Sequence, residues 1–174
     1  DTLRAHGIRV PEHELVHVSE DRDERVHEIF TKMPLPIVVK PRSLGSSVAV
    51  TIAESFRELR DGLDAVFAVS EYALIQPKIT GREMTCGVVE RFRDEELYAL
   101  PVVEIKPTTS HFFDYAAKYD GSTEEIVPAE IPTTLRDEIQ ETAKTVHRAL
   151  GLRQYSRTDV IVTPKNSVYV LEVN

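Results

Sequence analysis

The tightest constraint on the fold lies at the end of the chain, where two strand-like runs, Thr158 to Thr163 and Ser167 to Val173, are separated only by Pro164, Lys165 and Asn166. A connection this short makes the runs an antiparallel ribbon. With Lys165 and Asn166 at the tip, Thr163 falls opposite Val168, Asp159 opposite Glu172, and Arg157 opposite Asn174. The polar residues then share one face, and Val160, Val162, Tyr169, Leu171 and Val173 form the other, as a core requires. Two carboxylates placed directly opposite each other repel, and packing alone gives no reason for the arrangement. A cation would remove the conflict. Asp, Glu and the Asn amide oxygen are hard donors suited to magnesium, which commonly shares its remaining positions with water and nucleotide phosphate. The competing reading is an exposed sheet face on which Arg157 bridges the acids. If repulsion dominates, replacing either acid with Ala leaves the metal-free fold intact or stabilises it.

The rest of the chain alternates between helical and strand periods. Val26, Ile29 and Phe30 within Ser19 to Lys32, and Phe56, Leu59, Leu63, Val66 and Phe67 within Glu54 to Phe67, recur at helical spacing. A third helix starts at Pro132 and Thr133, buries Leu135, Ile139, Ala143, Val146 and Leu150, and stops at Gly151. Further strands are expected at Leu35 to Lys40, Ser47 to Ile52, Tyr72 to Gln76, Met84 to Arg91 and Leu97 to Ile105. Asp94, Glu95 and Glu96 read as a hairpin tip. Hairpins mixed with helices indicate an α+β fold, because a doubly wound sheet would alternate the two more regularly. Lys106 to Val127 shows no convincing period but carries Phe112, Phe113, Tyr115, Lys118 and Tyr119. A connection of about 20 residues without structure is uncommon and is often a lid over a site, the alternative being a surface excursion.

Composition narrows the ligands. The net charge of -8 and pI near 5.3 provide no general basic field for nucleic acid, so a phosphate ligand must be held by a few placed cations. Cys86 is the only cysteine, which excludes an internal disulfide, and the six histidines lack paired ligand spacing, which argues against zinc. No apolar run approaches the roughly 20 residues that span a bilayer, and Asp1 to Val10 has no signal-peptide pattern, so a soluble, cytoplasmic protein is expected.

Two further segments fit a nucleotide. After an apolar strand, Lys40 to Ala49 reads Lys-Pro-Arg-Ser-Leu-Gly-Ser-Ser-Val-Ala, where Gly45 permits an unusual backbone angle and Ser46 and Ser47 offer hydroxyls and amides to phosphate oxygens. A Ser/Gly hairpin without a ligand is the alternative. Lys40 ends the apolar run Ile37, Val38, Val39, where an ammonium suits an anionic partner unless its stem packs and its head reaches solvent. Between Ala73 and Glu83 an apolar strand runs into a glycine turn and then an acid, which could offer backbone to a purine edge and Glu83 to a ribose hydroxyl.

These stretches, together with Thr80-Gly81-Arg82-Glu83, Phe113-Asp114-Tyr115-Ala116-Ala117-Lys118-Tyr119, Tyr155-Ser156-Arg157-Thr158-Asp159 and Glu172-Val173-Asn174, resemble in order and spacing the D-alanine:D-alanine ligases of the ATP-grasp superfamily. The resemblance covers nearly the whole chain. It implies two α+β subdomains with a nucleotide cleft between them: residues 1–82 with the phosphate-binding loop, and 83–174 with the lid and magnesium site. It implies that Lys40 and Lys118 contact ATP phosphates, with Ser46 and Ser47 capping them; that Glu83 binds the ribose; that Val38, Ile79 and Leu171 sandwich the adenine; and that Gln76 stands where a Glu usually accepts from the adenine amino group. Asp159, Glu172 and Asn174 would hold two magnesium ions, or manganese; Arg157 would steady the oxyanion, and Tyr119, in the lid, accompanies D-alanine rather than D-lactate as second substrate.

Ala49 replaces a loop glycine and Ala116 a Glu of the usual pattern. The chain begins abruptly at Asp1 and ends within a strand, without the amino-terminal domain that helps bind the first D-alanine and without the residues that follow the metal-binding Asn. It is therefore expected to be a fragment, inactive alone, of an enzyme with ATP and D-alanine as substrates, no nucleic-acid or membrane partner, and a homodimer as a compatible assembly. The alternatives are an ATP-grasp carboxylate:amine ligase with other amino acid substrates and a non-catalytic nucleotide-binding module.

Overall fold

The computed structural model describes residues 2–45, 47–107 and 123–174. In chain order the elements are α1 (Thr2–Ala5), β1 (Glu14–His17), α2 (Arg22–Lys32), β2 (Ile37–Pro41), β3 (Thr51–Ala53), α3 (Phe56–Phe67), β4 (Tyr72–Pro77), β5 (Arg82–Phe92), β6 (Glu95–Ala99), β7 (Val103–Pro107), β8 (Thr123–Ile126), α4 (Thr133–Ala149), β9 (Tyr155–Val162) and β10 (Val168–Val173). All strand pairs are antiparallel, as expected for α+β. The described residues divide into two compact units.

The smaller unit, from residue 12 to 78, is a four-stranded sheet in the order β1-β4-β2-β3 packed against α2 and α3. Both helices begin where their sequences set caps: Asp21 accepts from the Glu24 amide at 3.0 Å and Ser55 from the Glu58 amide at 3.2 Å. Val26, Ile29, Leu59, Leu63 and Val66 meet Ile37, Val39, Ala73 and Ile75 in its core. Phe30 and Phe56, expected in the apolar stripes, lie at their margins and meet edge to face at 5.6 Å.

The larger unit comprises residues 2–11, 79–107 and 123–174. Its six-stranded sheet runs β10-β9-β5-β7-β8, with β6 hydrogen-bonded to β5. α4 covers one face and buries Leu135, Ile139, Ala143 and Val146 against Met84, Val88, Val160, Val162, Val168 and Val170. Gly151 ends the helix in the left-handed region at φ 63°, but Leu150, expected in the buried stripe, is exposed at the cap. The sequence division at residue 82 differs from this grouping at its ends. Ile8, Leu3 and Val10 pack on the α4 core, and the Val170 amide donates to the Arg9 carbonyl at 2.9 Å, so the first residues belong with the larger unit.

Four sequence expectations change, the first being the strand from Ser47 to Ile52, of which only Thr51 and Ile52 are strand, in β3, after a turn at Ser47 to Ala49. The run Leu97 to Ile105 is two strands, because Pro101 has no N–H for the ladder and follows Leu100, whose amide closes on the Gly87 carbonyl at 2.8 Å. The connection expected from Lys106 to Val127 is partly strand: Lys106 pairs with Glu124 and Pro107 with Thr123. The hairpin tip between β5 and β6 is Arg93 and Asp94, both at positive φ, with Glu95 already paired to Phe92.

Candidate functional site

The face of the larger sheet turned away from α4 is laid out by strand register. Residues directly opposite in neighbouring strands point to the same side. Glu83 faces Ile105 on β7 and Ile161 on β9; Thr85 faces Val103 and Asp159; Gly87 faces Arg157. β10 continues two of these rows, setting Glu172 opposite Asp159 and Asn174 opposite Arg157, the latter pair exchanging backbone hydrogen bonds of 2.8 and 2.9 Å. Glu83, Arg157, Asp159, Glu172 and Asn174 thus stand together on one side of three adjacent strands, β5, β9 and β10. Val160, Val162, Val168 and Val170 are buried on the other.

The expected pairing of Asp159 with Glu172 and of Arg157 with Asn174 is present, but Val168 lies opposite Val162, not Thr163. The turn contains three residues, Pro164 to Asn166, with Asn166 at φ 59° and its amide bonded to the Thr163 carbonyl at 2.8 Å. A bulge between Val170 and Glu172 then restores the register at the acids. It also corrects the side of two residues. Val168 and Val170 face the α4 core, whereas Tyr169 and Leu171, expected there from simple alternation, fall on the site side, half-buried.

Asp159 is the centre of the array and only 8% exposed. One carboxylate oxygen accepts from the Thr85 hydroxyl at 2.6 Å and Arg157 Nε at 3.0 Å; the other accepts from Arg157 Nη2 and Asn174 Nδ2, both at 3.1 Å. Hydrogen bonds to Asp159, and then the charges of Asp159, Glu172 and Glu125, hold the Arg157 guanidinium above its ordinary pKa, against the opposing effect of burial. Of the two acids that Arg157 was weighed as bridging, it ion-pairs with Asp159, and Glu172 acts on it through charge. The two acids and the Asn amide oxygen fit a magnesium-type cation: they are hard oxygen donors on adjoining rows, and the juxtaposed carboxylates gain from a positive charge. Among the described residues no group of three His, Cys, Asp or Glu side chains gathers anywhere in a way that could hold a metal ion, so the candidate centre consists of two acids and the Asn174 amide.

In the smaller unit, Val38 and Lys40 alternate with the core residues Ile37 and Val39, and Val38 lies opposite Gln76. Val38, Lys40 and Gln76 consequently share the face of β2 and β4 turned away from the helices, Gln76 being buried there. Ile79 follows β4 and is half-buried. In the loop after β2 the left-handed residues are Ser47 (φ 56°) and Ala49 (φ 54°), not Gly45. Ala49 therefore occupies a conformation that favours glycine. Ser46, Lys118 and Tyr119 lie outside the described residues.

Two features were not anticipated from sequence. Thr85 reaches the site only through the β5–β9 register, 74 residues from its carboxylate partner. On the opposite side of the sheet Glu104, 2% exposed, accepts from Arg82 Nε at 2.7 Å and Nη2 at 2.6 Å. Arg82 is adjacent in sequence to Glu83, and two acids and two bases near a β-strand gave no local signal of which would pair.

Residues 2–174 match the family model described as D-ala D-ala ligase C-terminus. The chain is 43% identical over 150 residues to a D-alanine--D-alanine ligase of Desulfotalea psychrophila, covering 84% of this chain and 46% of that protein. Among solved structures it resembles the VanG D-Ala:D-Ser ligase of Enterococcus faecalis (TM-score 0.87, 30% identity, 99% of this chain and 49% of that one). It also resembles the D-alanine--D-alanine ligase of Bacillus anthracis complexed with ATP (TM-score 0.77, 32% identity, 99% and 52%). The chain spans about half the length of the curated relatives it matches. With its antiparallel α+β units and the acid pair of its terminal ribbon, the chain belongs to the D-ala D-ala ligase C-terminus family, of ATP-grasp fold.

Proposed function

We propose that the protein to which this chain belongs is an ATP-dependent ligase that joins two D-alanine molecules for peptidoglycan precursor synthesis. The observation that carries this reading is the single sheet face bearing Asp159, Glu172, Asn174 and Arg157, three oxygen donors beside one guanidinium. Asp159, Glu172 and Asn174 would hold magnesium, which when bound supplies charge neutralisation to the triphosphate. Lys40, Lys118, Ser46 and Ser47 would serve the phosphates, Glu83 the ribose, and Val38, Ile79, Leu171 and Gln76 the adenine. Tyr119 would close over the substrates.

In the reaction, a carboxylate oxygen of the first D-alanine forms a bond to the γ-phosphorus of ATP, and the bond to ADP breaks. The neutral amine of the second D-alanine then attacks the acyl carbon, the carbon–oxygen bond to phosphate breaks, and the proton lost from the nitrogen is taken up by the departing phosphate or by water. Negative charge gathers on the acyl oxygen during that attack. Arg157, permanently charged and with its side chain 55% exposed beyond the contacts to Asp159, would stabilise this charge by charge-assisted hydrogen bonds. The chain's own residues therefore position reactants and neutralise charge; none need become a covalent nucleophile. With ATP and D-alanine as substrates, the step would take place in the cytoplasm.

A second reading keeps the chemistry and changes the second substrate, since one close structural neighbour is a D-Ala:D-Ser ligase. Phosphate release by the full-length protein, measured with ATP and D-alanine, D-serine, D-lactate or L-alanine, separates the two. Release with D-alanine alone, with dipeptide formed, is the expected result. Preference for D-alanine plus D-serine supports the second reading, and turnover only with L-alanine overturns both.

A further inference from the structure

Thr85 occupies a position that the site needs and that no local motif announces. It lies on β5 directly opposite Asp159 on β9, just as Glu172 lies opposite Asp159 on β10. Directly opposed residues place their Cβ atoms about 4.5–5.5 Å apart, so a short hydroxyl can meet a carboxylate across the strands without spanning solvent. The hydroxyl has two acceptors within reach, Asp159 at 2.6 Å and the Thr158 carbonyl at 3.3 Å, and only one proton to give. The shorter contact, to an ionised acceptor, takes it.

The other donors to Asp159 differ from Thr85 in one respect. Arg157 and Asn174 approach from the same open face on which a cation would have to bind, and Asn174 now presents its NH2 where its amide oxygen would be needed. Both contacts must be rearranged for Asp159 and Asn174 to act as ligands. The Thr85 contact, made from within the sheet to Oδ1, which Arg157 Nε also reaches at 3.0 Å, needs no change. Thr85 is 9% exposed and β-branched, with a restricted χ1, so its hydroxyl is a fixed reference for the carboxylate plane.

We propose that Thr85 is a positioning residue for the metal site: its hydroxyl orients the Asp159 carboxylate so that one oxygen is held and the other is presented to the cation. The inference rests on Asp159 being a metal ligand, as argued above. Outer hydrogen-bond partners of metal ligands commonly change metal affinity about 10–100-fold when removed.

The test uses the full-length protein and a non-hydrolysable ATP analogue. The analogue's binding is measured by calorimetry without metal and across a magnesium titration, for the native protein, Thr85→Val, Thr85→Ser and Asp159→Asn, with circular dichroism melts confirming the fold. Thr85→Val keeps the shape and removes the hydroxyl. It is expected to raise the magnesium concentration for half-saturation at least about tenfold while leaving metal-free analogue binding unchanged, and Thr85→Ser is expected to stay near native. A half-saturation within twofold of native in Thr85→Val, with Asp159→Asn strongly impaired, overturns the role of Thr85 alone. An unimpaired Asp159→Asn overturns the metal site itself. Should Thr85→Val fail to fold, Thr85→Ser decides: retention of the hydroxyl with loss of metal response refutes the proposal, and a native response supports it.

Discussion

Replacing the two facing acids separately should expose how unequal they are. Simple repulsion would make Asp159→Ala and Glu172→Ala alike in metal-free buffer, but Asp159 is buried under four hydrogen bonds and Glu172 is exposed. Removing Asp159 leaves the Thr85 hydroxyl only its longer contact to the Thr158 carbonyl, 3.3 Å away. A buried donor left without its partner costs about 1–3 kcal/mol. Relief of the repulsion with Glu172 returns at most about 1 kcal/mol, while Arg157, half-exposed, recovers water. The net expectation is a loss of about 1–2 kcal/mol for Asp159→Ala. For Glu172→Ala, the relieved repulsion and the lost attraction to Arg157 are both worth about 0–1 kcal/mol and nearly cancel. Urea unfolding in EDTA at neutral pH, followed by far-ultraviolet circular dichroism, reads the difference as a shift of about 1 M in midpoint for Asp159→Ala and almost none for Glu172→Ala. Magnesium with an ATP analogue should stabilise neither variant as it stabilises the native protein. Equal destabilisation by the two changes in EDTA, or none from Asp159→Ala, would refute the reasoning.

Arg82→Ala should cost about 3 kcal/mol, because it leaves the buried Glu104 carboxylate with only the long ion pair to Lys106 at 3.9 Å, while the double change Arg82→Met with Glu104→Leu should recover most of the loss. Thermal melts of the three proteins check this, and equal losses in single and double variants would count against it. Arg82 also holds the Glu104 carboxyl below its usual pKa, so the contribution is complete above the unfolded value of about 4.3 and disappears as pH falls through the lower folded value. Stability of Glu104→Gln should therefore fall less steeply on acidification below about pH 4.3 than that of the native chain, and parallel curves would contradict it. Gly81→Ala places a Cβ 2.2 Å from the Val162 carbonyl oxygen and should destabilise the chain by about 3 kcal/mol, so a native melting temperature would show the close approach to be unimportant.

The elements that announced themselves carry their determinants locally. α4 has a proline start, a four-residue apolar rhythm and a glycine stop within one stretch, and α2 and α3 have side-chain caps three residues ahead of the amides they bind. β1 and β8 do not. Glu14–His17 is a strand because Leu15 and Val16 pair with Leu74 and Ala73, and Thr123–Ile126 contains two glutamates whose strand state comes from pairing with Lys106 and Ile105. Four residues are too few for a period to declare itself, so partners distant in sequence decide. The same distinction divides the site. Asp159, Glu172, Arg157 and Asn174 lie on one hairpin, and their pairing matched the expectation because the bulge before Glu172 offsets the extra turn residue, whereas Thr85 depends on a third strand and Glu104 on a fourth.

The apolar rhythm of β10 holds a contradiction that only its backbone resolves. Val168 and Val170 are in phase with the core, and Val173 also packs there, but an odd number of residues separates the last two steps. A regular strand could satisfy the first pair or the last residue, and in the phase set by Val170 it would turn Glu172 toward α4, where a carboxylate has no partner. The bulge absorbs one residue, letting Val173 return to the core and Glu172 join Asp159. Removing Leu171 from the sequence would give an ordinary alternation with every other residue on its required side. Neither the core nor the acid pair therefore needs this leucine; its effect is to add one apolar side chain to the site face beside Glu172. If adenine binds here as proposed, Leu171 would give it an apolar contact, and a ligand on that face would offset the pairing that the bulge costs the sheet.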